Sequence, residues 1–124
     1  MISFEPAVPM LRVFDERLAR EFYVDYLGFT WDWESREDAT SPLYAQVSRG
    51  ELRIHLTGHY GDGTPGTHLF VPTEGLDALH AEVTAKHASF SRPGIETVPW
   101  GRVMTVIDPF DNQLNFTEWR DPEG

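Results

Sequence analysis

The chain has 124 residues, of which 40% are hydrophobic, with a net charge of −10 and no cysteine. That length gives one domain with a real core, and the hydrophobic share excludes a disordered chain. The negative charge repels phosphate backbones and argues against nucleic acid as a partner, while the missing cysteine removes disulfides, thiolate metal sites and thiol nucleophiles.

No apolar run approaches the roughly 18 residues of a membrane span. The opening MISFEPAVPM lacks the basic start and apolar block of a signal peptide, so a cytoplasmic protein without a membrane partner is expected. The acidic balance mildly favours a cationic ligand, but it also serves solubility alone.

The first apolar stretch, AVPMLRVF (residues 7–14), is compatible with a strand. Asp15 then reads as a helix N-cap. Leu18, Phe22 and Tyr26 follow at i, i+4 and i+8, flanked by Ala19 and Tyr23, which predicts an amphipathic helix closed by Gly28 at C′. TWDWES, LYAQVS and ELRIHLT read as strands, the last two joined by a tight turn at Arg49-Gly50. The loop GHYGDGTPG is a connection. THLFVP reads as a strand, and Leu76, Leu79, His80 and Val83 lie at helical spacing. A poorly defined strand around residues 88–98 is interrupted by Arg92-Pro93-Gly94. GRVMTVID and NQLNFTEW are two strands around a DPFDN turn.

The two halves repeat in pattern. At an offset of about 60, Val8-Pro9-Met10-Leu11 lies on His68-Leu69-Phe70-Val71, and Ile54-His55-Leu56-Thr57 on Leu114-Asn115-Phe116-Thr117. Leu18 falls on Leu79 and Phe22 on Val83. Each half reads β-α-β-β-β.

Paired modules of this kind, the opening AVPMLRVFD…AREFYVDYLGF and the closing PWGRVMTVIDPFDNQLNFTE resemble the vicinal oxygen chelate superfamily. That superfamily includes glyoxalase I, ring-cleaving dioxygenases and bleomycin-resistance proteins. The resemblance covers nearly the whole chain. AVPML, LGFTWDW and PWGR point to the bleomycin-resistance branch. The fold it implies is α+β: two βαβββ modules forming curved mixed sheets around a cleft, in a single domain 1–124. Module one is expected at about 1–57, the connecting loop at 58–66, and module two at about 67–119.

Metal enzymes of the superfamily place ligands on the first and last strands of each module. By resemblance those positions are Val8, His55, His68 and Asn115. A catalytic divalent site usually needs three good protein ligands and an open position. Valine donates nothing, asparagine offers a neutral amide oxygen, and no carboxylate is among the four; Glu118 lies on the opposite strand face. No cofactor is therefore expected, and any metal would have to sit on His55 and His68. Otherwise these two line a polar cleft. His59 is expected to be solvent-exposed, His80 packed, and His87 at the negative end of its helix.

The other chemistry is stacking. Strict alternation along Thr30-Trp31-Asp32-Trp33-Glu34 puts Trp31 and Trp33 on one face and Asp32 and Glu34 on the other. In bleomycin-resistance proteins, aromatic rings at the positions of Trp33 and Trp100 come from opposite subunits and sandwich a flat heteroaromatic tail. Nearby acidic residues receive its cationic end. Here Asp32, Glu34, Glu37 and Asp38 lie close to Trp33 in sequence. The ligand-binding set is thus Trp33, Trp100, Asp32, Glu34, His55, His68 and Asn115.

This resemblance implies a homodimer, with possible exchange of the N-terminal strand, that sequesters a bleomycin-type glycopeptide or a similar flat cationic metabolite without catalysis. The alternative is a metal-dependent glyoxalase-like lyase or isomerase, or a dioxygenase, acting on a small molecule. A superfamily member with another ligand stays open as a third reading.

Overall fold

Strands and helices alternate twice in the same order in the computed structural model, which describes residues 1–86 and 92–120. Module one runs β1 (Met10–Arg12), α1 (Glu16–Arg20) with a π-helical continuation (Glu21–Tyr26), β2 (Thr30–Ser35), β3 (Tyr44–Arg49) and β4 (Leu52–Thr57). Module two runs β5 (His68–Pro72), α2 (Leu76–Thr84), β6 (Ile95–Val98), β7 (Gly101–Ile107) and β8 (Gln113–Trp119). Each module holds one four-stranded mixed sheet, ordered β1-β4-β3-β2 and β5-β8-β7-β6. The β1–β4 and β5–β8 pairs are parallel, and the rest are antiparallel. The fold is α+β, built of two βαβββ modules. The chain divides into two compact units between Thr64 and Pro65, inside the glycine-rich loop. Among the described residues no helix is long and apolar enough to cross a membrane.

The register reproduces the repeat. Met10 pairs with His55 and Phe70 with Asn115, an offset of 60 on both strands. The first strand is shorter than the apolar stretch that predicted it. Pro6 and Pro9 lack the N–H a ladder needs, and only Met10–Arg12 pair on this edge strand. Of the weak strand around 88–98, Ile95–Val98 pair with β7, and residues 87–91 lie outside the described residues.

In module one Asp15 caps α1 as its sequence predicts, its Oδ1 accepting the Leu18 N–H at 2.9 Å. The helix then widens. Leu27 N–H bonds to the Phe22 carbonyl, five residues back, at 2.9 Å. Spacing of i, i+4 and i+8 describes a regular α-helix; the wider turn instead buries the adjacent pair Phe22 and Tyr23 together with Tyr26. Phe22 and Tyr23 meet edge to face at 5.0 Å. Gly28, at φ 73°, ends the segment in the left-handed conformation that glycine tolerates.

Leu11, Ala45, Val47, Ile54 and Leu56 share one face of the module-one sheet and are fully buried. The opposite face of β3 and β4 carries Tyr44, Gln46 and His55, all half-buried. The period of two along LYAQVS and LRIHLT encodes this division.

Strand β2 departs from strict alternation. Trp31 pairs with Val47 and Trp33 with Gln46, so Asp32 is the extra residue of a β-bulge. The two tryptophans therefore face opposite sides, not the same one. Trp31 lies on the helix side, where the Arg20 guanidinium sits 3.9 Å over its ring. Trp33 is left on the open face.

In module two Leu76 and Val83 of α2 are buried, and the helix packs on β7 and β8. The β7–β8 hairpin is tied by Asp108. Its Oδ1 accepts the N–H groups of Phe110 and Asn112, both at 2.8 Å, and its Oδ2 the Asn112 side-chain amide at 2.9 Å. Gly101 opens β7 at φ 145°, and a Cβ there would stand 2.1 Å from the Glu118 carbonyl oxygen. Only glycine fits, which gives the Trp100-Gly101 pair a backbone reason.

Candidate functional site

The open face of module one carries a row of side chains across all four strands: Met10, His55, Gln46 and Trp33. Tyr44 stands beside this row, two residues before Gln46 on the same face. Hydrogen bonds along the row have one consistent direction. The Asp32 carboxylate can only accept, so Gln46 turns its NH2 group to it (Nε2 to Oδ2, 3.1 Å). That turns the Gln46 amide oxygen toward His55, whose Nε2–H donates to it at 3.0 Å. Nδ1 of the neutral imidazole is then the acceptor, and the Tyr44 hydroxyl donates to it at 2.7 Å. Burial lowers the pKa of His55 and keeps the ring neutral. Burial, together with the Asp62 charge, raises that of Tyr44 and keeps the phenol protonated.

Three rings meet over this relay. Trp33 and Tyr44 are near-parallel, 14° apart in plane and 6.1 Å between centroids. His55 presents its ring at a steep angle to both, 5.3 Å from Trp33 and 5.2 Å from Tyr44. Trp33 remains 42% exposed. Both aromatic rings line a cavity of about 720 Å³ whose polar wall includes Arg36, Glu37, His59 and Asp62. Pockets that hold small molecules pair an aromatic wall with a few polar groups in this way.

The acidic residues near Trp33 have separate fates. Asp32 orders the relay. Glu34 pairs with Ala45 in register, on the helix side, and takes Arg20 at 2.9 Å and Arg36 at 3.3 Å. It is not brought to Trp33's face. Regular alternation resumes at Trp33, so the residue that follows it points to the other face. Asp38 is held by its own loop, accepting from Thr40 and Ser41, which lowers its pKa. Glu37 and Asp62 are the carboxylates that line the cavity, Asp62 taking the Thr57 hydroxyl at 3.1 Å.

His59 is not simply exposed: it is half-buried, its backbone N–H donates to Thr57 Oγ1, and its ring lies 6.3 Å from that of Tyr44. His80 is held by the Pro93 carbonyl at 3.1 Å. His87 lies outside the described residues.

In module two His68 is exposed on β5, on the same face as Asn115. Asn115 is engaged at both ends of its amide. Its Oδ1 accepts from Thr105 at 2.8 Å and Gln113 at 3.0 Å, and its Nδ2 donates to the Leu69 carbonyl at 3.1 Å. Trp100 precedes β7 and is 47% exposed. Phe70 and Trp119 are also exposed and meet edge to face at 5.9 Å. Val8 is half-buried ahead of β1.

A metal at the superfamily's ligand positions needs free lone pairs. The Nδ1 lone pair of His55 is occupied by Tyr44, and the Asn115 amide oxygen already accepts twice. Glu118 faces away, bound to Arg102 at 2.9 Å. Among the described residues no three His, Cys, Asp or Glu side chains converge as a metal site would require. The donor set does not fit a catalytic metal.

Sequence reasoning missed Tyr44, Gln46 and Asp62. The first two were legible. Ala45 and Val47 mark the core face of β3, so Tyr44 and Gln46 share the other. The two-residue loop Gly50-Glu51 then sets Gln46 opposite His55. Asp62 reaches the site through a loop, for which periodicity carries no signal.

Comparison with known proteins agrees with the fold. A bleomycin-binding protein from bleomycin-producing Streptomyces verticillus, solved with copper(II)-bleomycin, is 32% identical, with a TM-score of 0.68 over 97% of this chain and 100% of that one. TnmS3, an antibiotic-binding protein from Streptomyces sp. CB03234, matches at a TM-score of 0.74 and 19% identity, over 97% and 100% of the two chains. A bleomycin resistance determinant encoded on transposon Tn5 matches at 0.69 and 19%, over 95% and 100%. No curated protein sequence matches the chain. A family model described as "Glyoxalase superfamily protein" matches residues 1–123. With its two βαβββ modules and their paired register, the chain belongs to the glyoxalase, or vicinal oxygen chelate, superfamily, on its bleomycin-resistance side.

Proposed function

We propose that this protein binds and sequesters a flat, cationic small molecule of the bleomycin type in the cytoplasm, without turning it over. The observation that carries this reading is the open face of module one. There the histidine at a superfamily metal position, His55, is spent on internal hydrogen bonds, while an exposed tryptophan stands beside a tyrosine on a cavity. A ring stacked on Trp33 contributes about 0.5–1.5 kcal/mol beyond its buried area, and a cation held against the ring contributes a similar amount. Glu37 and Asp62 supply negative charge along the cavity wall. The identity of 32% to a protein solved with copper(II)-bleomycin supports the ligand class.

The binding unit is a homodimer in this reading, a single domain per chain, in which Trp33 of one protomer and Trp100 of the other enclose the ligand. His68 and Asn115 line the module-two side. Exposed Ile2 and Phe4 ahead of β1, and Phe70, Ile107 and Trp119 on module two, are apolar surface that a second copy would cover. The segment before β1 is then the part exchanged between protomers.

Titration with metal-free and copper-loaded bleomycin, read by tryptophan fluorescence, tests this reading. Tight binding without product formation is expected, and Trp33→Ala or Trp100→Ala should weaken it clearly. Unchanged affinity in both variants would overturn the site. Sedimentation through the same titration reads the dimer.

A further inference from the structure

Trp31 faces away from the cavity, yet it belongs to a set of charges that reaches the cavity wall. Residues 36–42 join β2 to β3 and stand between two hollows. Arg36, Glu37, Ser41 and Pro42 line the cavity of about 720 Å³ beside Trp33. Arg36, Ser41 and Pro42 also line a smaller one of about 240 Å³, together with Phe14, Asp15 and Glu16 at the start of α1. A segment with space on both sides has little packing to hold it. Its end is fixed, because Leu43 is buried and its carbonyl accepts the Gly58 N–H at 2.8 Å. Its middle is tied to itself, since Thr40 and Ser41 donate to Asp38. Its start depends on Arg36.

Arg36 donates to Glu16 Oε1 through Nη2 and to Glu34 Oε2 through Nε, the latter at 3.3 Å. Arg20 donates to the second oxygen of each carboxylate, at 2.9 Å in both cases. Two guanidiniums and two carboxylates thus alternate in a closed, neutral ring. It ties α1, β2 and the first residue of the segment together. The Arg20 guanidinium lies over Trp31, so the ring of charges is seated on that indole. A single exposed ion pair fixes little, because two long side chains must be ordered for one contact. In the closed ring each group answers to two partners, and the planar fork of Arg36 spans two carboxylates.

We propose that Arg36 is a positioning residue for the cavity: its ring with Glu16, Glu34 and Arg20 fixes residues 36–42 where they complete the wall and present Glu37 to a ligand. This rests on the reading of the module-one cavity as a ligand site. Without the ring of charges the wall samples other positions, and affinity falls with the fraction of time it spends in place. Removing Arg36 also removes a positive charge from the wall of a cavity that receives a cation. By charge alone, binding would improve. A loss of affinity is therefore the sign of positioning.

A glutamate-specific protease tests the wall without any ligand. It cuts the full chain after Glu37 in the segment and after Glu51 in the β3–β4 turn, and mass spectrometry reads each rate. Melting temperatures of all variants are measured alongside. Arg36→Gln should speed the cut after Glu37 about tenfold, through a larger population of open segment, and leave the cut after Glu51 unchanged. Glu16→Gln should speed it less, because Glu34 still holds Arg36. The double variant of Glu16→Gln with Arg36→Gln should be no faster than Arg36→Gln alone, the mark of a shared interaction. Arg36→Lys keeps the charge without the fork and should restore part of the protection. Metal-free bleomycin, titrated into the same variants, should bind Arg36→Gln about three- to tenfold more weakly.

An unchanged cut after Glu37 in Arg36→Gln would overturn the proposal. So would a cut after Glu51 that rises in step with it, or bleomycin held by that variant as tightly as by the unaltered protein, or more tightly. The outcomes separate the two readings. If bleomycin does not bind the unaltered protein, the antibiotic reading falls and the cleavage rates alone decide on Arg36. If bleomycin binds and the cut after Glu37 is unchanged, only the Arg36 assignment falls.

Discussion

The two modules use one ladder for different ends. In module one the row Met10–His55–Gln46 continues to Trp33 on the outer strand. In module two the matching row is Phe70–Asn115–Thr105, and the outer strand β6 begins opposite Met104, one residue short of a partner for Thr105. Module one therefore ends its row in a ring that faces a cavity. Module two ends its row in a hydroxyl that donates to Asn115. Both middle positions, His55 and Asn115, are polar and both are held by neighbours on the sheet. The repeat is thus a scaffold for presenting side chains, and the presented chemistry depends on how far the outer strand extends and where it bulges.

The likeness of the modules is most severely tested at the core. Ile54 and Leu114 are equivalent and fully buried. Truncating either to alanine should cost about 2–5 kcal/mol in urea denaturation. Strongly unequal costs would mean that the modules do not share a packing plan. A smaller effect separates the hairpins. Asp108→Ala strands two backbone N–H groups and an amide in the β7–β8 turn, at about 2–3 kcal/mol by the same measurement. The matching β3–β4 turn relies instead on Gly50 in the left-handed region, so its weak point is a backbone conformation and not a side chain.

The smallest expected effect is one of pH. Burial holds His55 below its ordinary pKa of 6.5, so the unfolded chain takes up that proton first. The stability it contributes is fully present above 6.5 and is lost as pH falls through the lowered folded value. Denaturation midpoints should drop over that window in the unaltered protein, and the drop should be smaller in His55→Asn. Asn115, which cannot titrate, adds nothing to it. An unchanged slope in His55→Asn would place the acid sensitivity elsewhere.

Much of the scaffold was legible because its causes are local. Asp15 caps, Gly28 and Gly50 turn, and the alternation in LYAQVS and LRIHLT divides core from open face. The internal repeat carried the register, pairing His55 with Asn115. Three features were less legible, each for a physical reason. The π-helical turn depends on how Phe22 and Tyr23 pack together, which spacing alone does not encode. The partners of the carboxylates were set largely in three dimensions: Glu34 is claimed by Arg20 of α1 as well as by Arg36 just past its own strand, and Asp62 arrives on a loop. The bulge at Asp32 breaks the period that the strand reading assumes.

That single inserted residue has a consequence for inheritance. Remove Asp32, and Trp31 and Trp33 would become neighbours on a regular strand, still opposite Val47 and Gln46 and still on opposite faces of the sheet. A lineage could therefore gain or lose that one codon and keep its outward ring, with no substitution at either tryptophan. Position-by-position alignment of the TWDWE segment between relatives would then match residues that point in opposite directions. Sorting such relatives by strand length, before comparing residue types, is the way to find which of them still present a ring to a ligand.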